Sequence, residues 1–158
     1  MDLKEIFGHD ERMVHRHGAD VHRSYGKLKE RFDAFQKCLR EPFRAGFPQG
    51  AFVFLDAPDG DHYFRISFCG RELLFCFDMV EGGSYEGRVT CIAQSTHQQF
   101  EPSVLGHFAF NTQGFMEFDP DGRGAMKIDD QDAATAILVS FMTAAVAIEN
   151  RSLVARRR

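Results

Sequence analysis

The chain contains no tryptophan, only five prolines and no Cys-x-x-Cys pair among its four cysteines. Without that spacing, the sequence shows no sign of a thiol redox motif or a disulfide framework. Three of the cysteines, Cys69, Cys76 and Cys91, lie in predicted strands among apolar neighbours. This placement favours buried, reduced thiols, and we therefore expect a cytoplasmic protein.

Basic residues are not in excess either, because the formal net charge is -4 and the pI is about 6.0. General binding to nucleic acid or to an anionic membrane needs a net or local excess of Lys and Arg. The one basic block is Arg151 followed by Arg156, Arg157 and Arg158, and it complements the dipole of a preceding helix. We therefore expect no nucleic-acid partner and no membrane partner.

Two targeting features are also missing from the sequence. No run of about 18 apolar residues is present, which predicts that no segment crosses a membrane. The first residues, MDLKEIFGHDERMVHRH, are charged and have no apolar stretch, unlike a signal peptide. Both absences agree with the expected cytoplasmic location.

The sequence has none of the common catalytic motifs. It contains no G-x-S-x-G, no phosphate-binding loop and no dinucleotide-binding glycine pattern. A Cys–His dyad is conceivable, but the interior of a strand is a poor place for an exposed nucleophile. We expect no catalytic residues. The residues that could form such a dyad are Cys69, Cys76, Cys91, His62, His97 and His107.

A group of histidines near the N-terminus is the first candidate for metal binding. Imidazoles with Asp10 or Asp20 nearby suit zinc or nickel. The spacing does not match His-Glu-x-x-His, however, and no cysteine lies in the segment. We interpret this segment as a polar surface arm. The group consists of His9, His15, His17 and His22.

The segment from Asp119 to Asp130 is a second candidate, because it matches a calcium-binding loop at several positions. Arg123 stands where such a loop has an oxygen ligand, and a cation there opposes Ca²⁺ directly. We therefore interpret the segment as a hairpin turn. The sequence predicts no metal site and no other cofactor.

Phenylalanine is abundant where tryptophan is absent. The chain has 17 Phe, and most of them lie between Phe47 and Phe118. They recur in short alternating runs bounded by turn residues, as in Phe75 and Phe77. Such alternation gives an antiparallel strand one apolar face. The sequence thus predicts a β-meander with an aromatic core.

Two long segments have helical patterns. Apolar side chains in residues 20–40 follow 4-3-4-3-4 spacing and share one stripe, with Asp20 as the expected N-cap. Residues 130–151 are rich in alanine, with Asp129 or Asp130 as the expected cap. This last helix has a main apolar face and a second stripe on another side, which predicts burial against the sheet and against either the first helix or a second subunit. The second stripe consists of Val139, Met142, Val146 and Leu153.

These elements predict a two-layer α+β domain. An antiparallel meander of about five to seven strands is covered on one face by two long helices, at about 20–40 and 130–151. We expect residues 1–18 to form an N-terminal arm or a short helix, and residues 19–158 to form a single domain. The helix–sheet–helix order and the acidic pI resemble those of small secretion chaperones, a resemblance that no motif supports.

The polar side of the second predicted strand is a candidate binding surface. Tyr63 and Arg65 alternate there with apolar residues. A two-residue turn at 70–71 predicts that Arg65 lies opposite Cys76, so that Arg65 reaches Glu72 or Asp78 only as a diagonal or more distant neighbour. The functional interpretation is a mixed apolar and charged surface that binds a partner.

The leading hypothesis is a non-catalytic protein-binding or regulatory module that acts by protein–protein contact as a homodimer. The alternative is a small-molecule-binding protein or enzyme with a Phe-lined pocket between sheet and helices, gated by the loop at 97–103. A cavity with convergent His107, Arg65 or Tyr85 favours the alternative, and a filled core with a surface patch favours the module. The residues expected to contact a partner are Val139, Met142, Val146, Leu153, Tyr63 and Arg65.

Overall fold

A seven-stranded antiparallel sheet lies between two helices in the chain, and its strand order equals the chain order. The protein is described here from a computed structural model, which covers residues 11–40, 52–55, 62–81, 84–95, 101–116 and 126–156. The predicted α+β meander with two long helices is confirmed. The elements are α1 (Glu11–Arg40), β1 (Val53–Leu55), β2 (Tyr63–Phe68), β3 (Arg71–Glu81), β4 (Tyr85–Ser95), β5 (Ser103–Phe110), β6 (Phe115–Met116), β7 (Met126–Lys127) and α2 (Gln131–Arg156).

Alternation along the strands separates an apolar face of the sheet from a mixed one. In β2, Phe64, Ile66 and Phe68 are buried, and the residues between them are partly or fully exposed. Both helices cover the apolar side, which we call the inner face. We call the opposite side the open face. The predicted coverage of one face by two helices agrees with this arrangement.

The hairpin between β2 and β3 turns one residue earlier than predicted. Phe68 pairs with Arg71, so the turn residues are Cys69 and Gly70, with φ of 47° and 73°. A two-residue hairpin loop with a type I′ turn needs positive φ at both central positions. The sequence prediction assigned the turn to 70–71 and was wrong. As a result Arg65 lies opposite Leu74 and not opposite Cys76.

Aromatic packing joins both helices to the inner face. On α1 the predicted stripe is buried, and Phe32 stacks on Phe77 with ring centroids 5.2 Å apart. On α2, Phe141 meets Phe75 edge to face at 5.9 Å. Offset and edge-to-face pairs of this kind add to the free energy of burial. The core is therefore continuous from the first helix through the sheet to the last helix.

Helix α1 begins at Glu11, well before the predicted start at Asp20. Asp20 lies inside the helix and is exposed, so its predicted role as N-cap is wrong. Within this polar part of the helix, His17 contacts Tyr85 on the sheet, with 3.0 Å between the ring Nε2 and the hydroxyl. The division into an arm at 1–18 and a domain at 19–158 stays a prediction, since residues 1–10 lie outside the described part.

The start of α2 is held by two aspartates with different roles. The Asp130 side chain accepts hydrogen bonds from the backbone amides of Asp132 and Ala133, at 2.9 and 3.2 Å. It is therefore the N-cap, as the sequence predicted for one of the two positions. Asp129 instead forms an ion pair with Arg31 of α1, which ties the two helices together at this end.

Helix α2 is also apolar enough, by length and composition alone, to cross a membrane over Gln131–Ile148. The sequence search for consecutive apolar residues missed it because Thr and Ser interrupt the run. Core helices of soluble proteins pass the same test, and a third of this segment is buried. In the structure its Ile137, Leu138 and Phe141 pack into the core against the inner face.

Candidate partner-binding surfaces

Large apolar side chains are buried between the helices and the inner face in the described part of the chain. Phe32, Phe35 and Phe75 are fully buried there. Even a single added methyl group has no room at Gly87, where a Cβ would lie 2.3 Å from the ring of Phe110. The Phe-rich region therefore packs against itself as a core does.

The polar groups expected around a pocket do not converge on the inner face. Arg65 and His107 lie on the open face, whereas Tyr85 lies under α1. Residues 97–100 of the predicted gating loop lie outside the described residues. The positions that the pocket hypothesis needs together are thus divided between the two faces of the sheet.

Two tyrosine–histidine contacts join the first half of α1 to the sheet region. Tyr85 contacts His17, and Tyr25 lies 3.2 Å from the ring nitrogens of His62. Burial, followed by the charges of Glu81 and Asp20, raises the pKa of Tyr85, so its hydroxyl stays protonated. Sequence analysis missed these contacts, although His17 and Tyr25 have the spacing of one helical face.

The histidine group does not gather into a metal site within the described residues. His17 faces Tyr85, and His22 is exposed on α1. His9 and the side chain of His15 lie outside the described residues. Among the residues that the structure covers, no three His, Cys, Asp or Glu side chains are placed to hold a metal ion. Most of the candidate calcium loop, at 117–125, also lies outside them.

The cysteines and histidines of the described strands do not form a catalytic dyad. Cys91 is buried on the inner face, and Thr90 stands between Cys76 and His107 across the open face. Burial raises the pKa of Cys91, and burial together with Asp78 raises the pKa of Cys76. Both thiols are therefore poor nucleophiles. Cys69 is exposed in the hairpin turn, and His97 lies outside the described residues.

An apolar row crosses the open face from strand to strand. Leu74 on β3 pairs with Ile92 on β4, and Ile92 pairs with Val104 on β5. In the opposite direction, Leu74 pairs with Arg65 on β2, and Arg65 pairs with Leu55 on β1. Arg65 therefore interrupts the apolar row. No described helix lies over this face. Its most exposed apolar side chains are Val104 at 65%, Val53 at 56% and Tyr63 at 43%.

Charged side chains border the apolar row. Arg65 and Glu72 form an ion pair at 3.6 Å, as diagonal neighbours on adjacent strands. Asp78 and Arg88 stand directly opposite each other. Such exposed pairs contribute little to stability, and they leave the rim of this face nearly neutral. Tyr63 and Arg65 thus lie together on a mixed apolar and charged surface, as the alternation predicted.

The second stripe of α2 is only partly exposed. Val139 and Val146 are 43% and 39% exposed, whereas Met142 packs partly against the core. The side chain of Leu153 lies outside the described residues. No charged residue occurs from Ala133 to Ile148. We call the exposed, uncharged side of α2 its outer side, which is formed by Val139, Thr143, Val146 and Ala147.

The five predicted partner-binding residues whose side chains the structure describes therefore belong to two separate sides of the sheet. The sheet lies between them, because α2 covers the inner face whereas Tyr63 and Arg65 belong to the open face. No protein family, curated protein or solved structure matches this chain. The function is therefore argued from the chemistry of these two surfaces alone.

Proposed function

We propose that the protein is a non-catalytic protein-binding or regulatory module that acts through protein–protein contact as a homodimer. The outer side of α2 joins two copies, and the open face of the sheet, including Tyr63 and Arg65, contacts a protein partner. The observation that carries this proposal is the distribution of apolar side chains. The apolar side chains of the inner face are largely buried, and the exposed large apolar side chains described above lie on the outer side of α2 and on the open face.

The physical argument is that water disfavours contiguous apolar surface on a soluble protein. Helix α2 needs one apolar side to cover the sheet, and Ile137, Leu138 and Phe141 supply it. Its outer side has no charged residue that could interact with water over more than four helical turns. The helix rises about 1.5 Å along its axis per residue. Contact with a second copy removes that surface from water.

We also propose that the protein works in the cytoplasm. All four cysteines lie within the described residues, and none of them forms a disulfide. The packed core supports a binding module over the alternative of a Phe-lined small-molecule pocket. The partner is a protein of unassigned identity, and we propose no nucleic-acid or membrane partner.

A mutation pair tests the homodimer. Val139→Lys places a charge on the outer side of α2, and it should convert a dimer into a folded monomer in sedimentation velocity. Val53→Lys makes the same chemical change on the open face, where the valine is similarly exposed, and should leave the dimer intact. Met142→Glu is less informative, because Met142 also packs against the core. Equal behaviour of the two variants would contradict the assignment of the interface to α2.

A second comparison tests the open face. The tagged protein is used to capture partners from its native host, and captured proteins are quantified by mass spectrometry. Tyr63→Lys should lose a specific partner that both the wild type and Val139→Lys retain. If Tyr63→Lys captures the same proteins in the same amounts, the open face is not the binding surface.

A further inference from the structure

Helix α2 has an uneven distribution of charge along its length. Asp129 and Asp130 precede the helix and Asp132 lies in its first turn, with Asp129 already paired to Arg31 of α1. The last turns of its sequence contain Glu149, Arg151 and Arg156. Between these ends, residues 133–148 are uncharged. The helix dipole has the opposite sign at each end, positive at the start and negative at the end. Each end of α2 is therefore distinguishable by charge, and the middle is neutral.

The exposed apolar positions lie at the centre of this pattern. Val139 and Val146 are one heptad apart, and their midpoint falls between Met142 and Thr143. A two-fold axis at that midpoint brings Val139 of one copy beside Val146 of its partner. It also brings the residues at 129–132 of each copy beside residues 153–156 of the other.

From this symmetry, we propose that α2 pairs antiparallel with α2 of a second copy, with each acidic start against the arginine-containing end of the other. The inference rests on the homodimer proposed above and names its geometry. It is a two-fold, self-complementary contact of the kind that most homodimers use.

Charge selects the antiparallel arrangement over the parallel one. A parallel pair places Asp130 and Asp132 of one copy beside the same residues of the other, and it aligns the two helix dipoles unfavourably. The antiparallel pair replaces these like-charge contacts with opposite charges at both ends. The small side chains of Thr143 and Ala147 on the outer side allow the two helices to approach closely.

A charge exchange tests the contact between opposite ends. Asp132→Lys and Arg156→Glu should each weaken dimerisation on the order of tenfold, because attraction becomes repulsion at two symmetric places. The double variant should return the dissociation constant to within about threefold of the wild type. Glu101→Lys, which makes a charge change like that of Asp132→Lys at an exposed site outside α2, is the control and should have no effect.

Disulfide trapping tests the orientation independently of charge. In a Cys69→Ser background, a mixture of Val139→Cys and Val146→Cys chains should form a cross-linked heterodimer under mild oxidation. Val139→Cys alone should not cross-link, because an antiparallel pair separates its two copies by roughly 10 Å along the axis, beyond the reach of a disulfide.

The outcomes separate this inference from the homodimer itself. A dimer that cross-links through Val139→Cys alone is parallel and overturns the inference while the homodimer stands. The inference is also overturned if neither Asp132→Lys nor Arg156→Glu changes the dissociation constant of the dimer. A wild-type chain that sediments as a monomer at every concentration overturns the homodimer and the inference together.

Discussion

Helices α1 and α2 lie on the same face of one sheet, but the sides that they turn to solvent have opposite character. The exposed side of α1 carries charged residues such as Arg23, Lys27 and Glu30. The exposed side of α2 carries Val139 and Val146, and no charged residue occurs from Ala133 to Ile148. Each helix covers the sheet with an apolar side. For α1, contact with the sheet accounts for its apolar stripe. The extra apolar surface of α2 requires a second explanation, and the proposed self-association would supply it.

The largest expected effect contrasts a buried position of α1 with an exposed one of α2. Phe32 is fully buried against Phe77, and Phe32→Ala should cost about 3–5 kcal/mol of unfolding free energy. Val139→Ala should cost less than about 0.5 kcal/mol in the monomer. Urea unfolding at low protein concentration measures both. A cost for Val139→Ala near that of Phe32→Ala would place the outer side of α2 inside the core and end the comparison.

Alkaline pH should weaken the core that the two helices share. Because burial raises the pKa of Cys91, its thiol stays protonated in the folded state while the unfolded thiol ionises above its usual pKa of 9.0. The unfolded state then binds fewer protons, so stability falls as pH rises, by about 1 kcal/mol for this thiol between about pH 9 and pH 10. Thermal melts across this range measure the loss.

The control for this alkaline effect is Cys91→Ala. It removes the titrating group, so its stability should depend less steeply on pH than that of the wild type. An equal slope in both proteins would mean that the buried thiol is not the cause.

The residues near the starts of the two helices provide a further comparison. Asp130 caps α2, and Asp130→Ala should cost about 1 kcal/mol because two amides lose their acceptor. Asp20 lies within α1 and caps nothing, so Asp20→Ala should change stability by less than about 0.5 kcal/mol. A loss for Asp20→Ala as large as that for Asp130→Ala would indicate that α1 begins near Asp20 in solution.

The smallest expected effect lies in the hairpin between β2 and β3. Cys69 has a φ of 47°, where glycine is less strained, so Cys69→Gly should stabilise the protein by about 0.5 kcal/mol. Gly70→Ala, at a φ of 73°, should destabilise it by about 1 kcal/mol. Neither change should alter self-association. Opposite signs in this pair confirm the turn at Cys69 and Gly70 that sequence analysis placed one residue later.

The fold could be predicted because it follows from the periodicity of apolar residues. The start of α1 and the register of the β2–β3 turn could not be predicted in this way. Alternating Phe residues and the heptad-like stripe of α1 are local patterns, and they predicted the sheet and the helices that cover it. The first turns of α1 lie in a polar segment, and their contact between His17 and Tyr85 joins residues far apart in the sequence, which no local pattern reports. The turn register depends on Cys69 adopting a positive φ, which the sequence did not suggest because non-glycine residues seldom do so.

The candidate surfaces were predictable to the same extent. The positions of Tyr63 and Arg65 followed from alternation, and those of Val139 and Val146 followed from helical spacing. The partial burial of Met142 did not, because it depends on how far α2 is rotated on the sheet. What binds each surface stays a proposal.

The mass of the protein in solution tests the central claim most directly. Sedimentation equilibrium over a wide concentration range should show a reversible association that ends at twice the 18.0 kDa mass of one chain. Val139→Lys should shift that association to higher concentration. A mass of 18.0 kDa at every concentration, unchanged by the substitution, would contradict the account. The outer side of α2 would then not mediate self-association.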